Sequence, residues 1–472
     1  MRNRMPEQKF EKDSCYWSKI ATVRKKLLGV ACKREGKFEG SSSQMGSSAP
    51  QADSMNEAEV PLLGLEDKRT SRASWSVTVA MLLSLQLGWG LWLMPADFAR
   101  LGWVPATVVI VALMLATIYS GQLLLRLYQA VPNAVLFGDI GEAAAGSKGR
   151  SLVYWTVYSL DATRCIILHL AATQSLQHAA DKSDCLVCGA IVAVIALVLG
   201  QVKSLAEISW FLTLGTAAQL FALIIVVVKL FMDPLHGAKT ELVHTGEAAV
   251  SIVAVMNLIF AYGGQFAYVE IMNSMKKPAL FTSAVALATP IMSGAYLCLG
   301  VIGYWSQGRG VQEIIIFGTG MDVWSRVAAG AILFQALAQY LVNLNVWTHN
   351  VLTILARRKA LQSSSHCNVQ CAGDHKRLPW LLASACIIAY SFGISVSLPF
   401  FSTLVGLVTS VTYLTCAYTI PCWFTLRLLG DQISKAEYTL CWALVPLSIA
   451  FSCVGFGASV LALINNLGVG EL

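Results

Sequence analysis

Charge is scarce in this chain. Asp, Glu, Lys and Arg make up 13% of its 472 residues, while 56% are hydrophobic; a soluble globular protein is charged at about one residue in four. Apolar runs of roughly 20 residues recur from Ser74 to Ile464, more than any single soluble core needs, so the chain reads as a polytopic membrane protein. Residues 1–30 contain no apolar h-region, so no cleaved signal peptide is expected and the first membrane segment serves as the targeting signal. The 13 cysteines lie mostly inside apolar runs, where they behave as small hydrophobes, and they form no disulfide framework. Cys185 and Cys188 make a lone CxxC at a helix start. His366, Cys367, Cys371 and His375 share a loop, but their spacing fits no standard zinc signature. No metal and no cofactor is expected.

The charge that is present is unevenly placed. Between Met1 and Lys37 there are 11 Lys/Arg and 4 acids, an excess of +7 that equals the net charge of the whole chain. This basic tail reads as a cytoplasmic N-terminus in reach of anionic lipid, and nothing elsewhere supports nucleic-acid binding. Residues 1–72 form a polar tail with a Ser/Gly-rich stretch from Gly40 to Pro50, whose composition predicts disorder. Eleven apolar segments follow: 74–101, 104–130, 151–178, 184–201, 205–232, 247–275, 281–305, 322–355, 378–396, 399–427 and 436–464. With the N-terminus inside, the inner loops hold twelve Lys/Arg and the outer loops four, which supports that orientation.

Glycine interrupts two of these segments. The first carries Gln86-Leu87-Gly88-Trp89-Gly90-Leu91-Trp92-Leu93-Met94-Pro95, and the sixth carries Phe260-Ala261-Tyr262-Gly263-Gly264-Gln265. Backbone groups freed in lipid cost several kcal/mol each, so such breaks survive where they line a cavity or bind something. Segments 1–5 and 6–10 overlay as two five-helix units, each beginning with a broken helix. Five is odd, so the two units are inverted, as alternating access around a midplane site requires. This divides the chain into a tail (1–72), a first repeat (73–232), a second repeat (233–430) and an added eleventh helix (431–472). The half-helix restarting after Gly88 toward Pro95, with Pro95 expected in its first turn, offers N–H groups and a positive dipole end to a carboxylate. The break at Phe260 to Gly264 offers carbonyls to an ammonium group. Together Gly88, Trp89, Gly90, Leu91, Phe260, Ala261, Tyr262, Gly263 and Gly264 suit a zwitterion. The competing reading is glycines that let helices pack closely.

The order of motifs adds to this reading. Gly88-x-Gly90-x4-Pro95-x5-Leu101-Gly102-Trp103 resembles the first-helix signature of the amino acid/auxin permease family. Phe137-Gly138-Asp139-Ile140-Gly141-Glu142-Ala143-Ala144 with Gly146 is similar to that family's loop after helix 2. The break at Phe260 to Gln265, followed by Glu270-Ile271 and Met275-Lys276-Lys277-Pro278, resembles its sixth helix. Gly303-Tyr304-Trp305, Leu398-Pro399-Phe400-Phe401 and Pro421-Cys422 resemble its seventh and tenth helices. The resemblance runs from about residue 74 to 430. It implies eleven helices, a five-plus-five inverted repeat, and secondary transport of amino acids coupled to protons or sodium. The chain departs from the family where Trp89 and Trp92 flank Gly90, which bears on substrate size.

Polar residues inside membrane segments are functional candidates. Gln335, Gln339 and Asn343 share one face of the eighth segment, either along a substrate or cation route or as interhelical hydrogen bonds. Amides there, rather than adjacent hydroxyls, favour protons over sodium. Glu270 is a candidate proton site or gate partner. Asp161 and Arg164 stand i,i+3, a spacing at which they can neutralise each other. Tyr158 points its hydroxyl toward the substrate in this reading, and His169 is more simply a packed residue. The expected protein is an all-α integral membrane transporter importing neutral amino acids by proton symport, in the plasma membrane or a vacuolar or other endomembrane. Two alternatives stand beside it. One is a transporter-like amino acid sensor that signals through its tail. The other is a polytopic membrane enzyme, for which His349-Asn350 is the sole hint.

Overall fold

The computed structural model describes residues 73–131, 134–181, 184–202, 205–234, 238–362, 377–398 and 400–469. The Ser/Gly-rich tail and the His366–His375 cluster lie outside the described residues. What is described is helical: α1 Trp75–Gln86, α2 Gly90–Leu101, α3 Trp103–Ala130, α4 Phe137–Ala180, α5 Cys185–Leu199, α6 Leu205–Met232, α7 Ala248–Ala261, α8 Tyr268–Ser274, α9 Phe281–Gln307, α10 Val323–Gln362, α11 Arg377–Ser397, α12 Phe401–Val408, α13 Ile420–Leu428 and α14 Lys435–Val469. Two π-helical turns, Thr409–Tyr413 and Thr415–Thr419, join α12 to α13.

The helices carry their apolar side chains outward as well as inward. Val108 and Leu115 on α3, Ile224 on α6 and Trp442 on α14 are each more than half exposed. In water that pattern would be unfavourable; against lipid it is the expected surface. Among the described residues eight helices are long and apolar enough to cross a membrane, and up to ten if each bent pair is one span. The expected eleven is not reached by that measure, for two physical reasons. Helix α4 carries Asp161, Arg164 and His169, which dilute its apolarity, and α5 is only 15 residues long.

Local structure corrects three expectations. Residues 137–144 were expected as a loop but form the start of α4, which kinks at Ala145 and Gly146. Asp139 makes that start possible by accepting the N–H groups of Val135 and Leu136, each at 2.9 Å, while Gly146 takes φ +62°, a conformation that suits glycine. Pro95 lies in the interior of α2, not in its first turn. Its ring packs on α9 at Gly303, where an added Cβ would come within 2.5 Å of Pro95 Cγ. The N-terminus of α2 is also less open than expected. The N–H groups of Leu91 and Trp92 close tight turns onto the carbonyls of Gly88 (3.2 Å) and Trp89 (3.1 Å).

Helix α10 packs along α4 and α6, and α9 packs against α1, α2 and α3, while α2 lies on α7. The apolar interior divides in two. One cluster includes Trp92, Phe98, Tyr304, Ile315 and Phe401, toward the Leu101 end of α2. The other includes Val79, Leu82, Phe137, Tyr268, Phe281 and Phe424, toward the Trp75 end of α1. Leu87 and Trp89 at the first break, Ala261 and Tyr262 at the second, and Tyr296 on α9 belong to the first cluster.

Candidate functional site

The first break bends α1 against α2 by 55° at Leu87 to Trp89. The second separates α7 from α8 at Tyr262 to Gly264. The two breaks touch. A Cβ built on Gly90 would lie 2.6 Å from Ala261 Cβ and 2.7 Å from Ala261 Cα, so only glycine permits this approach. Between them is a cavity of about 30 Å³ whose lining includes Gly88, Trp89, Gly90, Phe260, Ala261, Gly263, Arg164 and Gln339. Gln86 and Tyr413 complete its polar lining.

Several backbone groups freed by the breaks meet specific partners. Tyr296 on α9, fully buried, places its hydroxyl 2.7 Å from the Gln86 carbonyl and 2.8 Å from the Ala261 carbonyl. One O–H thus serves the carbonyl ends of both broken helices. Gln219 on α6, also fully buried, donates Nε2 to the Gly88 carbonyl at 2.9 Å. At the second break, Gly263 N–H donates to the Phe260 carbonyl at 3.0 Å, and Gly264 N–H reaches Gln265 Oε1 at 2.8 Å. Among the described backbone bonds, none uses the N–H of Trp89 or Gly90. Both residues line the cavity, and the indole Nε1 of Trp89 is likewise buried without a partner.

Side chains shape the rest. Trp89 packs on Phe401 at the start of α12, ring centroids 5.2 Å apart. Tyr413, in the first π-helical turn, packs edge-on against Phe260 at 5.1 Å. Its ring occupies the space a Cβ on Gly263 would need. π-turns inside helices recur at functional sites, and here one carries a cavity-lining residue. Arg164 sits with its guanidinium 5.0 Å from the Phe266 ring centroid.

Seven of the residues picked out from sequence for substrate binding therefore line the cavity, and five do not. Leu91 is packed in the apolar cluster with no exposure. Tyr262 points away, its hydroxyl 2.6 Å from Ser293 Oγ. Gly264 faces the Gln86 side chain. Tyr158 stacks on Tyr154 at 5.6 Å. Asn343 donates to the Asp161 carbonyl at 2.9 Å and contacts Cys165 Sγ at 3.1 Å. Along the amide face of α10, Gln339 alone reaches the cavity, while Gln335 lies against Gly215 of α6. Asp161 accepts from Asn350 Nδ2 at 3.3 Å, which employs the asparagine beside His349 in packing. Glu270 is buried on α8. His169 is buried with Nδ1 2.9 Å from Ser395 Oγ, and Trp92 is packed among neighbouring helices.

Both ends of the bundle are closed over this cavity. At the Trp75 end, backbone joins backbone: Ala73 N–H donates to the Ser274 carbonyl at 2.8 Å, and Lys276 N–H to the Ala73 carbonyl at 3.0 Å. At the Leu101 end the closure is polar. Ser402 Oγ accepts from Arg100 and from Asn257 Nδ2, each at 2.5 Å, and Asn257 also donates to Asp97 at 3.0 Å. Ser402 N–H donates to Glu313 at 2.5 Å. Burial holds the Glu313 carboxyl above its ordinary range, against the pull of Arg100 and of that N–H. Sequence reasoning passed over Asp97, Gln219, Tyr296, Glu313 and Tyr413. Asp97, an acid inside the first apolar segment and three residues before Arg100, had a signal; the others depend on which helices are neighbours.

Comparison with known proteins places these features in context. A family model described as transmembrane amino acid transporter protein matches residues 71–465. Amino acid transporter AVT1D of Arabidopsis thaliana is 21% identical over 406 residues, 84% of this chain and 71% of the relative. Amino acid transporter AVT3C, from the same plant, is 21% identical over 427 residues, 85% of this chain and 93% of the relative. The N amino acid transport system protein of Neurospora crassa is 22% identical over 309 residues, 60% and 64% of the two chains. Among solved structures, a Na+-coupled sialic acid symporter in a substrate-bound outward-open state aligns with a TM-score of 0.49 at 11% identity, covering 82% of this chain and 88% of that one.

Proposed function

The chain belongs to the transmembrane amino acid transporter protein family, and from this premise we propose that it carries neutral amino acids by proton-coupled symport with alternating access. The observation that carries the reading is the contact of the two helix breaks across one buried cavity. A substrate carboxylate is placed at the N–H groups of Trp89 and Gly90, where the positive end of α2 adds to the attraction. The ammonium group is placed at the carbonyl side of the second break, from Phe260 to Gly263. Arg164 is the one charged side chain in the lining, which suits a substrate with an uncharged side chain.

At about 30 Å³ the cavity is far below the roughly 300 Å³ of an ordinary ligand site. Loading therefore requires α1 and α2 to separate from α7, opening one closure at a time. With the N-terminus cytoplasmic, the Leu101 end opens outward and the Ala73–Met275 clamp opens inward. Two features support protons over sodium. The Gly88 carbonyl, the natural ligand for a cation at the break, is already capped by the neutral amide of Gln219. Two buried carboxyl groups, Asp161 and Glu270, are the candidate proton carriers in this reading. Uptake of labelled neutral amino acids into proteoliposomes, with pH and sodium varied separately, tests the reading. Binding without uptake would replace it with a sensor.

A further inference from the structure

A second, larger cavity lies at the Leu101 end. It measures about 300 Å³ and is lined by Ala96, Arg100, His244, Arg309, Val311 and Glu313, among others. That volume reaches the range of sites that hold small molecules. Its walls come from α2, from the loop before α7 and from the segment between α9 and α10, so it is separate from the cavity at the breaks.

The charges around it have capacity left for a ligand. A guanidinium presents five N–H donors. Arg100 directs one toward Ser402 and lies 3.6 Å from Asp97. Arg309, 44% exposed, pairs with Glu241 and also lies 3.0 Å from His244 Nδ1. The same Nδ1 is 3.1 Å from Glu241 Oε2. Arginine only donates and carboxylate only accepts, so Nδ1 can satisfy one of them and not both. When Nδ1 donates to Glu241, the Arg309 N–H facing it has no acceptor there. Glu313 uses one oxygen for the Ser402 N–H and retains capacity for further donors. Two guanidinium groups and one carboxylate thus converge on a space with room for a small zwitterion.

We propose that this vestibule is a second amino acid site, with the ligand carboxylate on Arg100 and Arg309 and its ammonium on Glu313. The proposal rests on the amino acid reading of the protein and names a further site for the same substrate. Arg100 and Glu313 also hold Ser402 at the start of α12. A ligand taking up these two side chains competes with the contacts that close the Leu101 end, so occupancy of the vestibule favours opening toward the cavity at the breaks.

The test is the number of labelled amino acids bound per chain at saturation, measured on the purified full chain in nanodiscs alongside uptake in proteoliposomes. Wild-type protein binds two; Arg309→Gln and Glu313→Gln each bind one and take up substrate with a raised half-saturation concentration. A wild-type protein that transports the amino acid but binds only one overturns the vestibule site. Two bound in both variants, with unchanged uptake, overturns it as well. A wild-type protein that neither binds nor carries any amino acid overturns the reading underneath, a result distinguishable from the other two.

Discussion

The hydroxyl of Tyr296 donates to the carbonyl of Gln86 over 2.7 Å, and it lies as close to the corresponding carbonyl at the end of the other broken helix, that of Ala261. A broken helix leaves carbonyls that water cannot reach inside a bilayer. One phenol solves that problem for both breaks and fixes their distance. Tyr296→Phe keeps the ring and its packing on Tyr262 but removes the donor. A buried acceptor left unsatisfied costs about 1–3 kcal/mol. The variant is expected to reach the membrane, melt at lower temperature and lose most of its uptake. Wild-type melting and uptake would show that the hydroxyl matters to neither.

Gly90 is the tightest point of the site, because a Cβ there meets the backbone of Ala261. Gly90→Ala must push the two breaks apart, and displacements of about 1 Å at a reacting or binding centre can cost on the order of a hundredfold. Uptake is expected to fall by that order. Gly330→Ala on α10 is the control, since a Cβ there meets nothing within 4 Å. It should leave uptake unchanged and stability equal or slightly higher, because alanine favours helix by about 1 kcal/mol over glycine.

Gln219 donates to the Gly88 carbonyl at 2.9 Å, and the proposed preference for protons over sodium rests in part on that cap. Gln219→Leu leaves the Gly88 carbonyl without that donor and is expected to reduce uptake. Gln219→Glu puts a negative charge beside the carbonyl and is expected to make uptake responsive to sodium. Uptake by the Gln219→Glu variant that remains indifferent to sodium would remove the cap from the account of ion choice.

Asp161 is buried beside the cavity region, accepting from Asn350 and one helical turn from Arg164. Asp161→Asn preserves shape and hydrogen bonding while removing a proton carrier. Its uptake is expected to lack the rise with falling external pH that proton coupling predicts for the wild-type protein, while exchange of labelled for unlabelled substrate continues. An unchanged pH response would move the coupling proton to Glu270, whose Glu270→Gln variant is measured in parallel.

The breaks were legible because glycine acts on its own backbone: Gly88, Gly90, Gly263 and Gly264 mark where the helices open without reference to any other segment. The amide face of α10 was legible from its period of four. What was not legible depends on contacts between distant residues. Gln219 and Gly88 are 131 positions apart, and Tyr296 and Gln86 are 210 apart. Their residue types are ordinary in a membrane helix, and no spacing rule says which helices touch. The same cause explains Asn343. It shares a face with Gln339 by spacing, but its side chain is taken up by α4, leaving Gln339 as the residue of that face that reaches the cavity.

The central claim is active amino acid transport driven by protons through the paired breaks. Its most direct test is accumulation of a labelled neutral amino acid in proteoliposomes with the outside acidified from about pH 7.5 to about pH 5.5, with and without sodium. The account predicts accumulation above the external concentration at acid pH, abolished by a protonophore and indifferent to sodium. Uptake that requires sodium and ignores pH, or saturable binding with no uptake at all, would contradict it.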